Sequence, residues 1–322
     1  FFFFSWDYGS AQGFREIDCQ AVPGGPARVV EAMKCPLSKQ QTLRFRGIFT
    51  SVAIPALFLT YLCLHLSPIL FGDRQMSGKA VLQLCIWLPL TVMFFLCLFT
   101  TMSTHPGKMP ESLKRDDPKD NYRLKCMETK KNGETRVCKF CEMPKPDRCH
   151  HCRFCKLCIL KMDHHCFYIR SCIGFYNYKS FVLCIIYGAL LCQFMLWTMA
   201  WSVVSYMNGT GPLTVKIWMC AGEALLLILS LCLTFFSIFH VCLIRRGLTT
   251  IEFCEKKIRR AGGIYDQGSW RNFTSIFGQV PVLWLFPWGR PHGDGMSFER
   301  KSCGEVQSKP GLLNPARRQP PM

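Results

Sequence analysis

Four long stretches of this chain carry almost no charge, and any fold it adopts has to place them out of water. They cover residues 47–71, 80–102, 181–207 and 217–244. Each exceeds the roughly 20 apolar residues that a helix needs to cross a bilayer. A helix in a water-soluble core would show polar residues along one face at helical period, and these runs have almost none. Their only charged or imidazole side chains are His65 in the first run and Glu223 and His240 in the fourth. Glu223 lies near the start of its run, where a carboxylate more often reaches the membrane interface than acts inside the bilayer. A transporter or channel would need repeated polar groups within the spans. The expected fold is therefore all-α, with four transmembrane helices.

The side of the membrane follows from Lys and Arg in the connections. Six precede residue 47, seventeen lie in 103–180 and thirteen lie from Arg245 onward, against two in 72–79 and none in 208–215. Both termini and the 103–180 loop are thus expected on the cytosolic side of an integral, multi-pass membrane protein. The formal charge of +18 suits anionic lipid headgroups or a phosphate-bearing ligand, and no nucleic-acid partner is expected. The chain opens FFFFSW without Met or a basic n-region, so no secretory leader is read there, and a truncated start is expected. Asn208-Gly209-Thr210 is a glycosylation sequon that reads here as a turn. No internal repeat is expected. The resulting division is an N-terminal cytosolic segment 1–46, helices 1 and 2 in 47–102, a cytosolic linker and cysteine-rich domain in 103–180, helices 3 and 4 in 181–244, a cytosolic packing segment 245–294 and a Lys/Arg/Pro/Gly-rich disordered tail 295–322.

Of the 21 cysteines, eight fall between Cys138 and Cys172. Most of the others sit singly in apolar runs, where a reduced Cys behaves as a small hydrophobe. The clustered ones read Cys138-x2-Cys141, then His151-Cys152-x2-Cys155-x2-Cys158, then His165-Cys166, then Cys172. Tetrahedral zinc takes four such ligands, and a CxxC turn supplies two of them. A cross-braced finger of the ubiquitin-ligase kind needs a closing CxxC pair, and none follows Cys158. The ligands exceed the eight that two zinc ions need, so something is left for chemistry. Asp163-His164-His165-Cys166 sets a thiol beside two imidazoles and a carboxylate, the groups that generate and orient a thiolate. By spacing alone, Cys166 is either that nucleophile or one more ligand, and the two imidazoles cannot be told apart.

This stretch resembles the DHHC cysteine-rich domain of the protein S-acyltransferases, or palmitoyltransferases. The resemblance covers roughly residues 103–278. It rests on KPDR, on HC-x2-C-x2-C-x4-DHHC, and on Cys172, Ile173, Gly174, Asn177 and Phe181. It implies one structural zinc on Cys138, Cys141, His151 and Cys158, and a second on Cys152, Cys155, His165 and Cys172. Asp163, His164 and Cys166 then remain to react, Cys166 being acylated by acyl-CoA and passing the chain to a protein cysteine. Cys149 has no role in this scheme. Pro106-Gly107 with Pro110 resembles the family's Asp-Pro-Gly box, with His105 in place of Asp. Thr249, Thr250 and Glu252 match its TTxE motif, whose second Thr is implied to bond the DHHC Asp, and Asn272 resembles a C-terminal motif Asn. The family's Pro-Trp-Val-Asn-Asn after DHHC is here Phe167 to Ser171, which leaves the ligands and the reacting trio untouched. The implied partners are acyl-CoA, cytosolic-face proteins with a membrane-proximal Cys, and the bilayer. The alternative is a zinc-dependent membrane scaffold or adaptor that has kept the fold and lost the chemistry.

Overall fold

The computed structural model describes residues 54–71, 74–110, 128, 133–255 and 263–300. The expected N-terminal segment 1–46, the opening of the first apolar run, most of the charged linker and the tail beyond residue 300 lie outside the described residues.

Four described helices are long and apolar enough to cross a membrane. They are α1 (Ile54–Phe71), α2 (Arg74–Ser103), α3 (Tyr178–Asn208) and α4 (Leu213–Arg245). Packing runs mainly α2 on α3 and α3 on α4, with α1 against α2 and α3. Many large side chains face outward, among them Leu82, Phe99, Trp197, Trp201 and Phe235. That is the surface a helix presents to lipid tails rather than to water.

Several polar groups inside the bundle are paired across helices. A π-helical turn, Tyr61–Leu66, interrupts α1. Its Tyr61 hydroxyl meets Thr198 Oγ1 at 2.9 Å. His65 pairs through Nδ1 with Ser202 Oγ (2.7 Å) and through Nε2 with Gln83 Oε1 (3.0 Å). His65 is therefore satisfied glue between helices.

Between α2 and α3 the chain builds small antiparallel hairpins. Strand β1 (His150–Cys152) pairs with β2 (Leu157–Ile159), and β3 (His164–Cys166) pairs with β4 (Ser171–Ile173). A bridge between Val137 and Pro144 makes a shorter version of the same turn. These units correct the expectation of a chain without repeats. His151↔Cys158 and His165↔Cys172 are matching pairs fourteen residues apart, and Val137↔Pro144 stands fourteen earlier. Each unit turns through a left-handed residue at the same place, with φ of 55° at Glu142, 55° at Lys156 and 57° at Arg170. The repeat also runs through the sequence, with Cys138, Phe140, Cys141, His150 and His151 recurring as Cys152, Phe154, Cys155, His164 and His165.

The hairpins are fastened to the helix ends by a few close contacts. A Cβ on Gly174 would lie 2.5 Å from the Pro106 carbonyl oxygen, so only glycine lets β4 approach the chain leaving α2. Asn177, buried at the start of α3, accepts from Gly174 N (2.9 Å) and donates to the carbonyls of Cys172 and Thr101. His105 Nδ1 accepts from the amides of Gly107 and Lys108, both at 3.0 Å. A carboxylate two residues before Gly107 would do the same, which accounts for His where the resembling motif has Asp.

After α4 come a short helix α5 (Thr250–Cys254), an amphipathic helix α6 (Ser269–Phe277) and a 3-10 turn (Pro281–Leu285). Asn272 on α6 donates to Arg245 O at 3.0 Å, satisfying a carbonyl that the end of α4 leaves open. Lys179 is buried at the start of α3 and donates to Phe277 O (3.1 Å), Leu283 O (3.0 Å) and Trp288 O. Met296 and Phe298 still pack against the cysteine-rich unit, so ordered packing continues past residue 295.

Candidate active site and metal centres

The turn of each hairpin converges cysteine and histidine side chains. Cys138, Cys141, His151 and Cys158 form one group, and Cys152, Cys155, His165 and Cys172 form another, with ligand atoms in each group within 4.8 Å of one another. In the first group His151 Nδ1 lies 3.5, 3.3 and 3.8 Å from the three sulfurs, and Cys158 and Cys141 are 3.7 Å apart. In the second, His165 Nδ1 lies 3.5, 3.4 and 3.6 Å from its sulfurs, and Cys172 and Cys155 are 3.5 Å apart. Zinc bonds of about 2.3 Å to sulfur and about 2.0 Å to nitrogen imply tetrahedral edges of roughly 3.5–3.8 Å, and both groups fit. The eight cysteines of this region are all free thiols. Phe140 stacks on His151 and Phe154 on His165 with the same geometry, 4.8 Å and 26°, fixing the ring of each imidazole.

Neither group includes Asp163, His164 or Cys166. These three stand together at the end of the bundle where α2 stops and α3 starts. His164 Nδ1 donates to Asp163 Oδ2 at 2.7 Å, which leaves its other nitrogen for Cys166. Asp163 is itself fixed at both oxygens: Thr250 N donates to Oδ1 (2.9 Å) and Thr250 Oγ1 to Oδ2 (2.6 Å). Burial opposes ionisation of Asp163, but the His164 bond, the nearby imidazoles and Thr250 outweigh it and bring the carboxyl down to about 2. Burial likewise opposes a charged His164, yet its bonds to Asp163 and Cys166 raise it to about 9. The buried Cys166 thiol is lowered by His164 and by the backbone N–H groups of Ile169 and Tyr168, against the cost of desolvation. Both shifts favour a proton on the imidazole and a charge on the sulfur.

Thr250 is held in place by the turn that precedes it. Thr249 caps α5 reciprocally with Glu252: Glu252 N donates to Thr249 Oγ1 (3.2 Å) and Thr249 N to Glu252 Oε2 (2.8 Å). Glu252 also takes a two-pronged ion pair from Arg148, with bonds of 2.7 and 2.8 Å. Arg148 continues to Gly247 O (2.9 Å) and lies over the rings of Tyr265 and Phe298.

Residues 131–257 match the family model described as DHHC palmitoyltransferase. A DHHC domain therefore lies within residues 131–257 of this chain. The protein named palmitoyltransferase ZDHHC15A from Danio rerio is 36% identical over 186 residues, which is 56% of this chain and 56% of that one. Palmitoyltransferase ZDHHC15 from Homo sapiens is 35% identical over 191 residues, covering 57% of this chain and 55% of its own length. Palmitoyltransferase pfa3 from Emericella nidulans is 44% identical over 131 residues, 38% of this chain and 25% of that one. The chain thus spans about half the length of the first of these curated relatives, and less of the last.

Within this domain the departures at 167–171 have a structural account. Phe167 packs edge-on against Phe154 (4.8 Å) and His165 (5.0 Å), filling beside the second metal group. Tyr168 and Arg170 point outward. Cys149, given no role, is buried with its sulfur 3.9 Å from Met109 Sδ. The place of one residue beside the trio was not evident from the sequence. His240 of α4 lies 6.0 Å from the His164 ring and accepts or donates through Nδ1 to Tyr178 Oη at 3.1 Å. His240 was visible as an imidazole inside an apolar run, but nothing in the spacing linked it to a loop seventy residues earlier. Glu223, expected at the interface, has one buried carboxylate oxygen without a hydrogen-bond partner among the described residues.

Proposed function

We propose that this chain is a protein S-acyltransferase working through an acyl-Cys166 intermediate. The observation that carries the reading is the separation of roles: two complete four-ligand groups exclude Cys166, while Asp163 and His164 are fixed beside it. In the first step the Cys166 thiolate attacks the thioester carbonyl of acyl-CoA. The carbon–sulfur bond to CoA breaks as the new one to Cys166 forms, and His164 gives its proton to the departing thiolate. In the second step His164 takes the proton from a substrate thiol, which attacks the acyl-Cys166 carbonyl and returns Cys166 as thiolate. Asp163 holds one tautomer of His164 throughout.

Around Cys166 the side chains of Cys97, Phe181, Val182 and Ile185 are apolar and come from α2 and α3. On this reading the acyl chain lies against these apolar side chains, out of water. Zinc on the two ligand groups would be structural, because four protein ligands close each shell and leave no position for water. Substrates on this reading are cytosolic-face proteins with a cysteine near the membrane, and both termini of the chain share that side. The changed residues 167–171 are accommodated without displacing the trio, so nothing in the site favours a scaffold that has lost its chemistry.

The test is incubation of the purified protein with a labelled acyl-CoA. Label sensitive to hydroxylamine should appear on wild type and be absent from Cys166→Ser, with about two zinc ions per chain in both. Zinc lost from Cys166→Ser would make Cys166 a ligand and overturn the scheme.

A further inference from the structure

Between Arg271 and Arg290 the chain carries no Asp, Glu, Lys, Arg or His. The later part of this stretch, residues 280–288, reads VPVLWLFPW. It is too short to cross a bilayer and falls in the segment expected to pack on the cytosolic side. Yet Val280, Val282, Leu283, Leu285 and Trp288 are all exposed on the protein. So many large apolar side chains turned outward in one short segment would be unusual on a water-facing surface. The course of the segment along α3 indicates what covers them.

α3 begins at Tyr178, and beside that start Lys179 Nζ donates to Leu283 O at 3.0 Å and to Trp288 O. Between these two carbonyls the chain reaches further along the helix, where Tyr187 Oη donates to Leu285 O at 2.8 Å. Tyr187 lies nine residues, roughly 13 Å, beyond the start of α3, and its side chain can lean back over only part of that distance. The segment therefore runs inward beside a membrane-crossing helix, turns, and returns to the level of Lys179. Leu190, one turn beyond Tyr187 on the same face, is an outward-facing side chain of the span.

The turn is also finished as a water-free setting requires. Leu283 N donates to Val280 O at 3.1 Å and Phe286 N to Leu283 O at 3.2 Å, while Pro281 and Pro287 bring no N–H. Lys179 and Tyr187 take the carbonyls of Leu283, Leu285 and Trp288. Trp284 turns the other way: its Nε1 donates to Gly278 O at 2.8 Å, and its ring packs on Phe273 and Phe277, against the cluster that holds Cys166. Trp270 before the turn and Trp288 at its end are exposed, and Trp is the residue type that lines the boundary between membrane and water.

We infer that residues 280–288 form a re-entrant turn inserted in the leaflet where α3 begins, and that phospholipid acyl chains cover Val282, Leu283 and Leu285. The segment after α4 is then a membrane-contacting element, and through Trp284 it ties the reacting end of the bundle to that leaflet. The inference rests on the four membrane helices and is independent of acyl transfer.

Two measurements on the full chain in phosphatidylcholine vesicles test it. In the first, unaltered protein is reconstituted with a phosphatidylcholine carrying a diazirine within its acyl chain, irradiated, and mapped by mass spectrometry. Label should appear on peptides covering 280–288 as well as on the four helices. Label that marks the helices and skips 280–288, whether water or another chain covers the segment, overturns the inference. In the second, an environment-sensitive fluorescent amino acid replaces Val282 or, for comparison, Asp294, both of which are exposed. At 282 it should be quenched by a nitroxide placed high on the lipid acyl chain. Iodide in the water should quench it roughly tenfold less than at 294, as expected for a group about 5–10 Å inside the leaflet. Equal iodide quenching at the two positions overturns the inference. Protein that passes both tests but takes no acyl label sinks the acyl-transfer reading and leaves this one standing.

Discussion

Around Cys166 each side chain acts through a bond that a single substitution can remove. Thr250 touches neither the sulfur nor the imidazole, yet its hydroxyl is 2.6 Å from Asp163 Oδ2, the oxygen that also orients His164. A hydrogen bond to a buried carboxylate is worth about 1.5–3 kcal/mol. Thr250→Val should therefore slow acyl-enzyme formation by roughly tenfold or more, and Thr250→Ser should recover most of the rate. Failure of Ser to rescue would mean that the methyl group, through packing, is what matters. Arg170 presents the opposite case, a residue that costs stability. A non-glycine side chain at φ 57° is strained by about 1–2 kcal/mol, and Asn tolerates that region better than Arg. Arg170→Asn should raise the thermal midpoint of the zinc-loaded protein by a few degrees, and an unchanged or lower midpoint would place the strain elsewhere.

The elements differ in how plainly the sequence announced them. The four spans were legible because length and the lack of charge suffice to define a membrane helix. The first structured stretch of α3 begins at Tyr178 rather than 181, because Asn177 and the hairpin before it start the helix while the chain is still polar. The hairpins were not legible. Each has three-residue strands, too short for an alternating pattern, although the fourteen-residue offset of Cys138/Cys141 and Cys152/Cys155 stood in the sequence as a trace of them. Thr249 and Glu252 could be read as a capping box, but not the use to which Arg148 and Asp163 put it, since both lie about a hundred residues away. Lys179 was counted as one more basic residue of the loop. It instead ties the start of α3 to α6 and the 3-10 turn by three carbonyls. Lys179→Met should leave those carbonyls unpaired and speed amide exchange across residues 278–288, with the β1–β4 hairpins unaffected. Unchanged exchange there would show that the aromatic contacts of Trp284 with Phe273 and Phe277 hold the segment alone.

Across the whole molecule the metal groups, the trio and the chain after α4 form one connected structure. The β1–β2 hairpin is shared by both ligand groups: His151 and Cys158 serve the first, while Cys152 and, in the turn, Cys155 serve the second. The second group then shapes β3 and β4, which carry Cys166 and, through Asp163 N to Ile173 O at 2.9 Å, the carboxylate that orients His164. From the other side Arg148, one residue after the Asp147 that leads into β1, is paired with Glu252. It therefore links the first unit to the turn bearing Thr250. Breaking such a buried pair on one side leaves an uncompensated charge, so the link is strong in only one direction: it holds the assembled domain and penalises a half-assembled one. Metal loss should consequently propagate. If the groups were independent, Cys138→Ser would lose one zinc and keep the other, with Cys166 still reactive. Because the first group organises the strands that supply half of the second, Cys138→Ser should fall well below one zinc per chain and lose acyl labelling together with the metal. Cys172→Ser, at the far end of the series, should spare more of the first group, since none of that group's ligands comes from β3 or β4. Measuring zinc per chain and acyl label on both variants decides it: equal retention of one zinc in each would mean that the two groups fold separately, and that the active hairpin depends on its own metal alone.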